Sequence, residues 1–196
     1  MEVAIPSGVL MLRTFSTFAA TAGALLIASA ASASAQAYPF SQRGRVEQTV
    51  AFTNVAVAYG RPFARGRMLF GDSAVVKWGR VWHPGADSAT VISFSHDVML
   101  EGRMEIKAGE YSLWLLPRES KPWTLILSRA ARVFHAPYPG EASDAARIDV
   151  MPEHGAHMET LAFYFPVVLR DEALLRVHWG EMILPLRIKA PYRPDQ

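Results

Sequence analysis

The chain has 196 residues, a formal net charge of +2 at pH 7 and no cysteine. The absence of cysteine excludes disulfides, thiolate catalysis, cysteine-bound zinc and a lipoprotein anchor at a cleavage site. Lysine and arginine are scattered singly rather than gathered into a stripe, which argues against a nucleic-acid partner. This length suits one domain built around one core.

Residues 1–37 have the three parts of a secretory signal peptide. Arg13 supplies the basic element, an apolar run follows it, and small residues end the segment at Ala37. We predict a start at Met11 and cleavage after Ala37, with cleavage after Ala35 as an alternative. An uncleaved membrane helix is the competing interpretation, but an apolar run of about 16 residues is short for a bilayer. The sequence therefore predicts an exported protein, periplasmic or secreted, with no membrane association after cleavage.

Downstream of the signal, apolar residues recur at alternate positions in short runs that Gly, Pro and Asp interrupt. This alternation is typical of strands and leaves little room for helices. We predict a flexible segment at 38–45, a β-domain at 46–190 and a tail at 191–196. The fold class is all-β, a single antiparallel β-sandwich of jelly-roll type, with an open barrel as the alternative. Strands are predicted at 46–52, 54–60, 89–96, 98–101, 111–116, 123–128, 147–151, 160–166, 174–179 and 182–188.

The distribution of apolar residues within these strands also predicts their positions. The segments 111–116 and 123–128 are apolar on both faces, which predicts central strands. In the third strand, Ile92 and Phe94 are expected to face the core while Ser93 faces outward. Most of the five tryptophans are expected in the core. Trp82, which lies in a loop between Gly and Pro, is expected to be partly exposed.

Several spaced motifs resemble those of a known family. They are Tyr-Gly-Arg-Pro at 59–62, Arg-Gly-Arg at 65–67, Gly-Arg-Val-Trp at 79–82, Gly-Ala-Asp-Ser-Ala-Thr at 85–90, Ala-Gly-Glu-Tyr-Ser-Leu at 108–113 and Trp-Thr-Leu-Ile at 123–126. In this order they resemble the exported bacterial family known as domain of unknown function 2911, over residues 42–189. The resemblance implies export, a β-rich fold and a recurring loop at 82–87, but no activity. That family usually has Arg where this loop has His83, and an amide where it has Asp87.

Polar and aromatic residues in and before this loop form the predicted ligand site. They are Tyr59, Arg61, Arg67, Trp82, His83 and Asp87. Arginine offers a planar donor fork and tryptophan a stacking face, which suits a small polar ligand, a glycan or another envelope protein. The structural alternative is that the arginines only satisfy loop carbonyls. We therefore predict an exported, non-catalytic β-sandwich that binds a ligand and uses no cofactor.

Two other functions stay open at this stage. The first is a hydrolase of an extracellular polymer with Asp87 or His83 as the acid or base, although no nucleophile motif supports it. The second is a structural envelope protein without a pocket. Catalytic residues are therefore unassigned, and dimerisation of a sandwich with two-faced apolar strands is left open.

His154 and His157 are the weak candidates for a metal site, because imidazole is a good ligand for zinc and copper. Pro152 and Gly155 predict a turn between strands here. In a turn, the spacing of the two histidines does not fix the directions of their side chains. We therefore predict a solvated loop and no metal.

Overall fold

The computed structural model describes residue 1 and residues 40–191. The predicted signal peptide beyond residue 1, its cleavage site and residues 192–196 of the predicted tail lie outside the described residues. The described residues 40–191 belong to one compact unit. No helix in the described part of the chain is long and apolar enough to cross a membrane.

Ten strands, which form two antiparallel sheets, account for most of the described residues. They are β1 (Gln42–Val50), β2 (Thr53–Arg61), β3 (Val91–Phe94), β4 (Val98–Leu100), β5 (Met104–Ile106), β6 (Gly109–Leu116), β7 (Trp123–Ser128), β8 (Asp144–Val150), β9 (Glu153–Val168) and β10 (Glu172–Lys189). One sheet has the order β1-β2-β3-β6-β7-β8 and the other the order β5-β4-β10-β9. A 3-10 turn, Glu141–Ser143, precedes β8. The predicted all-β antiparallel sandwich is confirmed, whereas its jelly-roll type stays a prediction.

The core lies between the two sheets and is built by the alternation of side chains along each strand. Val57 of β2 and Leu113 of β6 are fully buried on the inner face of the six-stranded sheet. Leu161 of β9 and Leu175 of β10 are fully buried from the other sheet. Strands β6 and β7 lie in the interior of the six-stranded sheet, as their two-faced apolar sequences predicted.

The outer face of the six-stranded sheet is covered over β6 and β7 but not over β1 to β3. Trp114 and Ile126 point outward from β6 and β7 and pack under Val133 and Tyr138 of the following loop. The indole Nε1 of Trp114 donates to the Ser112 hydroxyl at 2.9 Å. This second, smaller apolar layer holds the loop after β7 against the sheet and leaves the outer face of β1 to β3 open.

Three strand predictions are wrong in their bounds. β10 is one strand where two were predicted, because Gly180 continues it with φ 57° and shifts in register surround that residue. β9 begins at Glu153, so the predicted turn at 153–157 is part of a strand. Gly155 permits the close pairing of β9 with β10 because it has no side chain. A Cβ at this position would lie 2.5 Å from Cδ1 of Ile183 on β10. β1 begins at Gln42, so half of the segment expected to be flexible, residues 42–45, is paired with β2.

Candidate functional site

Tyr59 and Arg61 join the two sheets instead of facing a ligand. Tyr59 is 4% exposed, and its ring packs against Phe163 with the centroids 4.6 Å apart. Its hydroxyl accepts the backbone N–H of Phe163 at 3.0 Å. The Nε of Arg61 donates to the carbonyl of Leu161 at 3.4 Å. Both residues therefore tie β2 to β9 across the edge of the sandwich.

Arg67 satisfies carbonyls of its own loop, as the structural alternative predicted. Its Nε donates to the carbonyl of Ala64 at 3.0 Å, and its Nη2 donates to the carbonyl of Phe63. An exposed guanidinium with these bonds closes the turn after β2. It does not reach the loop at 82–87 through any hydrogen bond or ion pair within the described residues.

Trp82 belongs to an aromatic cluster at one end of the core. It stacks on Trp179 with the centroids 5.9 Å apart and the rings 12° from parallel, and Phe70 packs on its edge. Trp82 is half-buried, and Trp114 and Trp123 are each 2% exposed, as predicted. The indole of Trp82 therefore anchors the long connection between β2 and β3 to the core.

His83 is buried under its own loop and is 4% exposed. Its Nε2 accepts the backbone N–H of Thr90, whose hydroxyl donates to the carbonyl of Pro84 at 2.7 Å. Burial lowers the pKa of His83 to about 3, and the positive charges of His135 and Arg43 act in the same direction. A neutral ring with Nε2 occupied holds the loop closed. That nitrogen is not free to exchange a proton with a substrate.

Asp87 is exposed at the tip of the same loop, with φ 63°. Its carbonyl accepts the backbone N–H of His135 at 3.0 Å, which joins the loop to the segment after β7. The six side chains predicted to form one ligand site therefore do not converge. They face the sheet junction, the turn after β2, the aromatic cluster, the interior of the loop and solvent.

A concave surface of about 510 Å³ lies beside this loop, on the open outer face of the six-stranded sheet. Small side chains form its floor, and arginines and an aromatic ring form its walls. We call it the arginine groove. Its residues are Arg43, Arg45, Ala56, Ala58, Ser88, Ala89, Val91, Ser93, Glu110, Arg132, Val133 and Phe134.

The groove results from a strand register that places small side chains beside long ones. Ala58 of β2 pairs with Arg45 on β1 and with Val91 on β3. In the next outward-facing row, Ala56 pairs with Glu47 and Ser93. The neighbouring residues of β2 point into the core, so these alanines must face outward. The floor is therefore low, and the arginine side chains of β1 stand above it.

Gly60 determines how closely the loop at 82–87 approaches the groove. A Cβ at this position would lie 2.4 Å from the carbonyl oxygen of Ala86, so only glycine allows the two backbones to touch. Ser88 and Ala89 follow in the loop and line the groove. The Ala89 N–H donates to the carbonyl of Val133 at 2.9 Å. The predicted loop does border a concave site, but through residues other than those predicted.

The charges of the groove are only partly balanced. Arg132 donates from Nε and Nη2 to the two carboxylate oxygens of Glu110, each at 3.0 Å. Arg45 pairs with Glu47 through Nη2 and Oε2 at 2.5 Å. Arg43 makes no ion pair with any residue that the structure describes. The groove therefore holds one uncompensated guanidinium, with Phe134, which is 63% exposed, also in its lining.

The arginines of the groove were absent from the predicted site, although the sequence carries a signal for them. Arg43 and Arg45 alternate with small or apolar residues, as the outer face of a strand requires, and Ala56 and Ala58 have the same alternation. Arg43 and Arg45 were not predicted as site residues because residues 38–45 were expected to form a flexible segment.

The metal candidates lie on β9 and are both exposed. His157 pairs through Nε2 with Oε2 of Glu159 at 3.2 Å. Across the described residues, no group of three or more His, Cys, Asp or Glu side chains is arranged to hold a metal ion. His154 and His157 thus have no third ligand beside them in this part of the chain.

The fold and the groove define a small antiparallel β-sandwich with a solvent-facing concave surface on one sheet. The family model described as Protein of unknown function (DUF2911) matches residues 41–188. The chain therefore belongs to this family, and the resemblance inferred from the motifs is confirmed. No curated protein and no solved structure matches the chain significantly.

Proposed function

We propose that the chain is an exported, non-catalytic binding protein that holds a small anionic ligand in the arginine groove. The supporting observation is the unpaired guanidinium of Arg43 above a floor of small side chains. Arg45 and Arg132 already have carboxylate partners, so Arg43 is the arginine whose charge a ligand would balance.

The shape of the groove favours one class of anion. Arginine binds a carboxylate or phosphate through two parallel N–H donors, and such charge-assisted bonds are about twice as strong as neutral ones. Phe134 presents an exposed ring to the groove, and the short, half-buried side chain of Ala58 leaves room for a flat apolar body above the sheet. The volume of about 510 Å³ is in the range of small-molecule sites. An aromatic or similarly flat carboxylate fits this surface better than an uncharged glycan.

The export part of the proposal is supported by the signal pattern over residues 1–37. Protein from the extracytoplasmic fraction of expressing cells should begin at Tyr38, because cleavage is predicted after Ala37. N-terminal sequencing measures this directly. A full-length chain confined to the cytoplasm contradicts export without affecting the proposed groove.

The proposed ligand class is tested by calorimetric titration of the purified protein with benzoate and related flat carboxylates. Arg43→Ala is expected to weaken carboxylate binding about 10-fold or more, because it removes a charge-assisted hydrogen bond worth about 1.5–3 kcal/mol. Stability should change by less than about 0.5 kcal/mol, since Arg43 is exposed on a strand.

The matched control is Arg80→Ala, which removes an exposed arginine outside the groove and should leave the affinity unchanged. Equal affinities for wild type and Arg43→Ala contradict the proposal. So does binding of neutral oligosaccharides that exceeds the binding of every carboxylate tested.

A further inference from the structure

A second recess lies at the opposite edge of the six-stranded sheet from β1, beside β7 and β8, and has a volume of about 440 Å³. Three guanidinium groups line it, each from a different part of the chain. Arg103 comes from the turn between β4 and β5, Arg118 from the loop between β6 and β7, and Arg147 from β8. Three cationic side chains therefore surround one recess that is independent of the arginine groove.

Two of these arginines are held in place by bonds that use only part of their donor capacity. Arg118 donates from Nη1 to the carbonyl of Pro122 at 2.7 Å and to the hydroxyl of Thr124 at 2.9 Å. Arg103 donates from Nη2 to the carbonyl of Asp149 at 2.7 Å. The other N–H groups of both guanidiniums make no hydrogen bond within the described part of the chain. They are oriented donors without an acceptor.

The acidic groups nearby leave donors of Arg103 and Arg118 without an acceptor. Arg147 is paired with Asp144 at 3.0 Å and with Glu141 at 3.1 Å, so its charge is compensated. Asp149 lines the recess, but its Oδ1 accepts the Thr124 hydroxyl at 2.6 Å and lies 3.9 Å from Nη1 of Arg118. Arg103 and Arg118 therefore share one nearby carboxylate, which Arg118 meets only at 3.9 Å, and the recess offers more N–H donors than acceptors.

We propose that this recess binds a tetrahedral oxyanion, namely phosphate or a phosphate ester group, between Arg103 and Arg118. A carboxylate presents two oxygens in one plane, whereas a phosphate presents three or four in a tetrahedron. Donors that converge from separate elements suit the second arrangement better.

Isothermal titration of the full chain with inorganic phosphate, glucose 1-phosphate and acetate tests this proposal. Phosphate or the ester is expected to bind at least 10-fold more tightly than acetate. Arg118→Gln and the exposed-site variant Arg103→Gln should each weaken binding about 10-fold. Lys121→Gln, in the same loop as Arg118 and exposed, should leave phosphate binding unchanged.

The two phosphates distinguish the sources of the ligand. Equal binding of both phosphates means that the free ion suffices, and binding of the ester alone means that the phosphate group is carried on a larger molecule.

The results that would overturn the phosphate site differ from those that would contradict carboxylate binding in the arginine groove. Phosphate binding that survives both Arg118→Gln and Arg103→Gln overturns the proposal, as does the absence of binding at millimolar phosphate. Loss of phosphate binding in Arg43→Ala also overturns it, because the anion would then occupy the groove. Arg103→Gln keeps the test decisive if Arg118→Gln fails to fold.

Discussion

Trp123→Ala is expected to lower the free energy of unfolding by about 4 kcal/mol, in the middle of the range for large buried aromatic residues. Trp123 is 2% exposed at the start of β7. Its ring packs against Phe70 at 5.3 Å and Trp78 at 6.1 Å between centroids. Its Nε1 donates to the carbonyl of Arg118 at 2.8 Å. Truncation leaves a cavity, unpairs that carbonyl and releases the connection between β2 and β3.

Chemical denaturation followed by tryptophan fluorescence and circular dichroism measures this loss. Trp123→Phe keeps most of the ring volume and should cost less than Trp123→Ala, which makes the test usable if the alanine variant does not fold. Phe134→Ala is the control, since this ring is 63% exposed and its removal should change stability by less than about 0.5 kcal/mol. Similar losses for Trp123→Ala and Phe134→Ala contradict the assigned core.

Acidification from pH 7 to pH 4.5 should destabilise the protein by about 2.5 kcal/mol through His83 alone. The pKa of this imidazole is about 3 in the folded state, against 6.5 for an ordinary histidine. Between these values the unfolded chain binds a proton at His83 that the folded chain does not. Stability therefore falls as the pH drops below 6.5, by up to about 1.4 kcal/mol per pH unit. Well above pH 6.5 the ring is neutral in both states and the pH has no further effect through this residue.

The slope assigned to His83 is isolated by comparing variants. His83→Gln supplies an acceptor for the Thr90 N–H without a titrating ring, so its stability should depend less steeply on pH between 7 and 4.5. His96→Gln, which replaces an exposed histidine, should keep the wild-type slope. Denaturation midpoints across this pH range measure both. An unchanged slope in His83→Gln contradicts the burial of a neutral ring.

The fold was largely predictable because its signals are local. Alternation of apolar residues along β2 and β3 indicates a strand and shows which side chains face the core. The apolar runs of β6 and β7 indicate central strands. Neither signal requires knowledge of the residues that pair with the strand. The failures fall where local signals conflict with tertiary pairing. Gly155 and Gly180 suggest turns, but the pairing between β9 and β10 keeps both segments in strands, and bulges absorb the irregularities.

The site was less predictable because its residues meet only through long-range pairing. Arg43 and Phe134 line one groove although about 90 residues separate them, and no spacing in the sequence indicates that approach. His83 and Asp87 were predicted as site residues because they are polar side chains in a loop that contains glycine. The first proved to be an internal support of that loop, and the second an exposed tip. The loop contributes Ser88 and Ala89 to the groove, and neither residue type by itself indicates a binding site.

Chemical-shift mapping of the ¹⁵N-labelled protein during titration with benzoate tests the proposed groove most directly. If benzoate occupies the groove, saturable shifts are expected at the backbone amides of Arg43, Ala58, Ser88 and Phe134, which lie on four separate segments of the groove. These shifts should disappear in Arg43→Ala. Shifts centred on the aromatic cluster around Trp82, or saturable shifts that persist in Arg43→Ala, would contradict the arginine groove as the binding site.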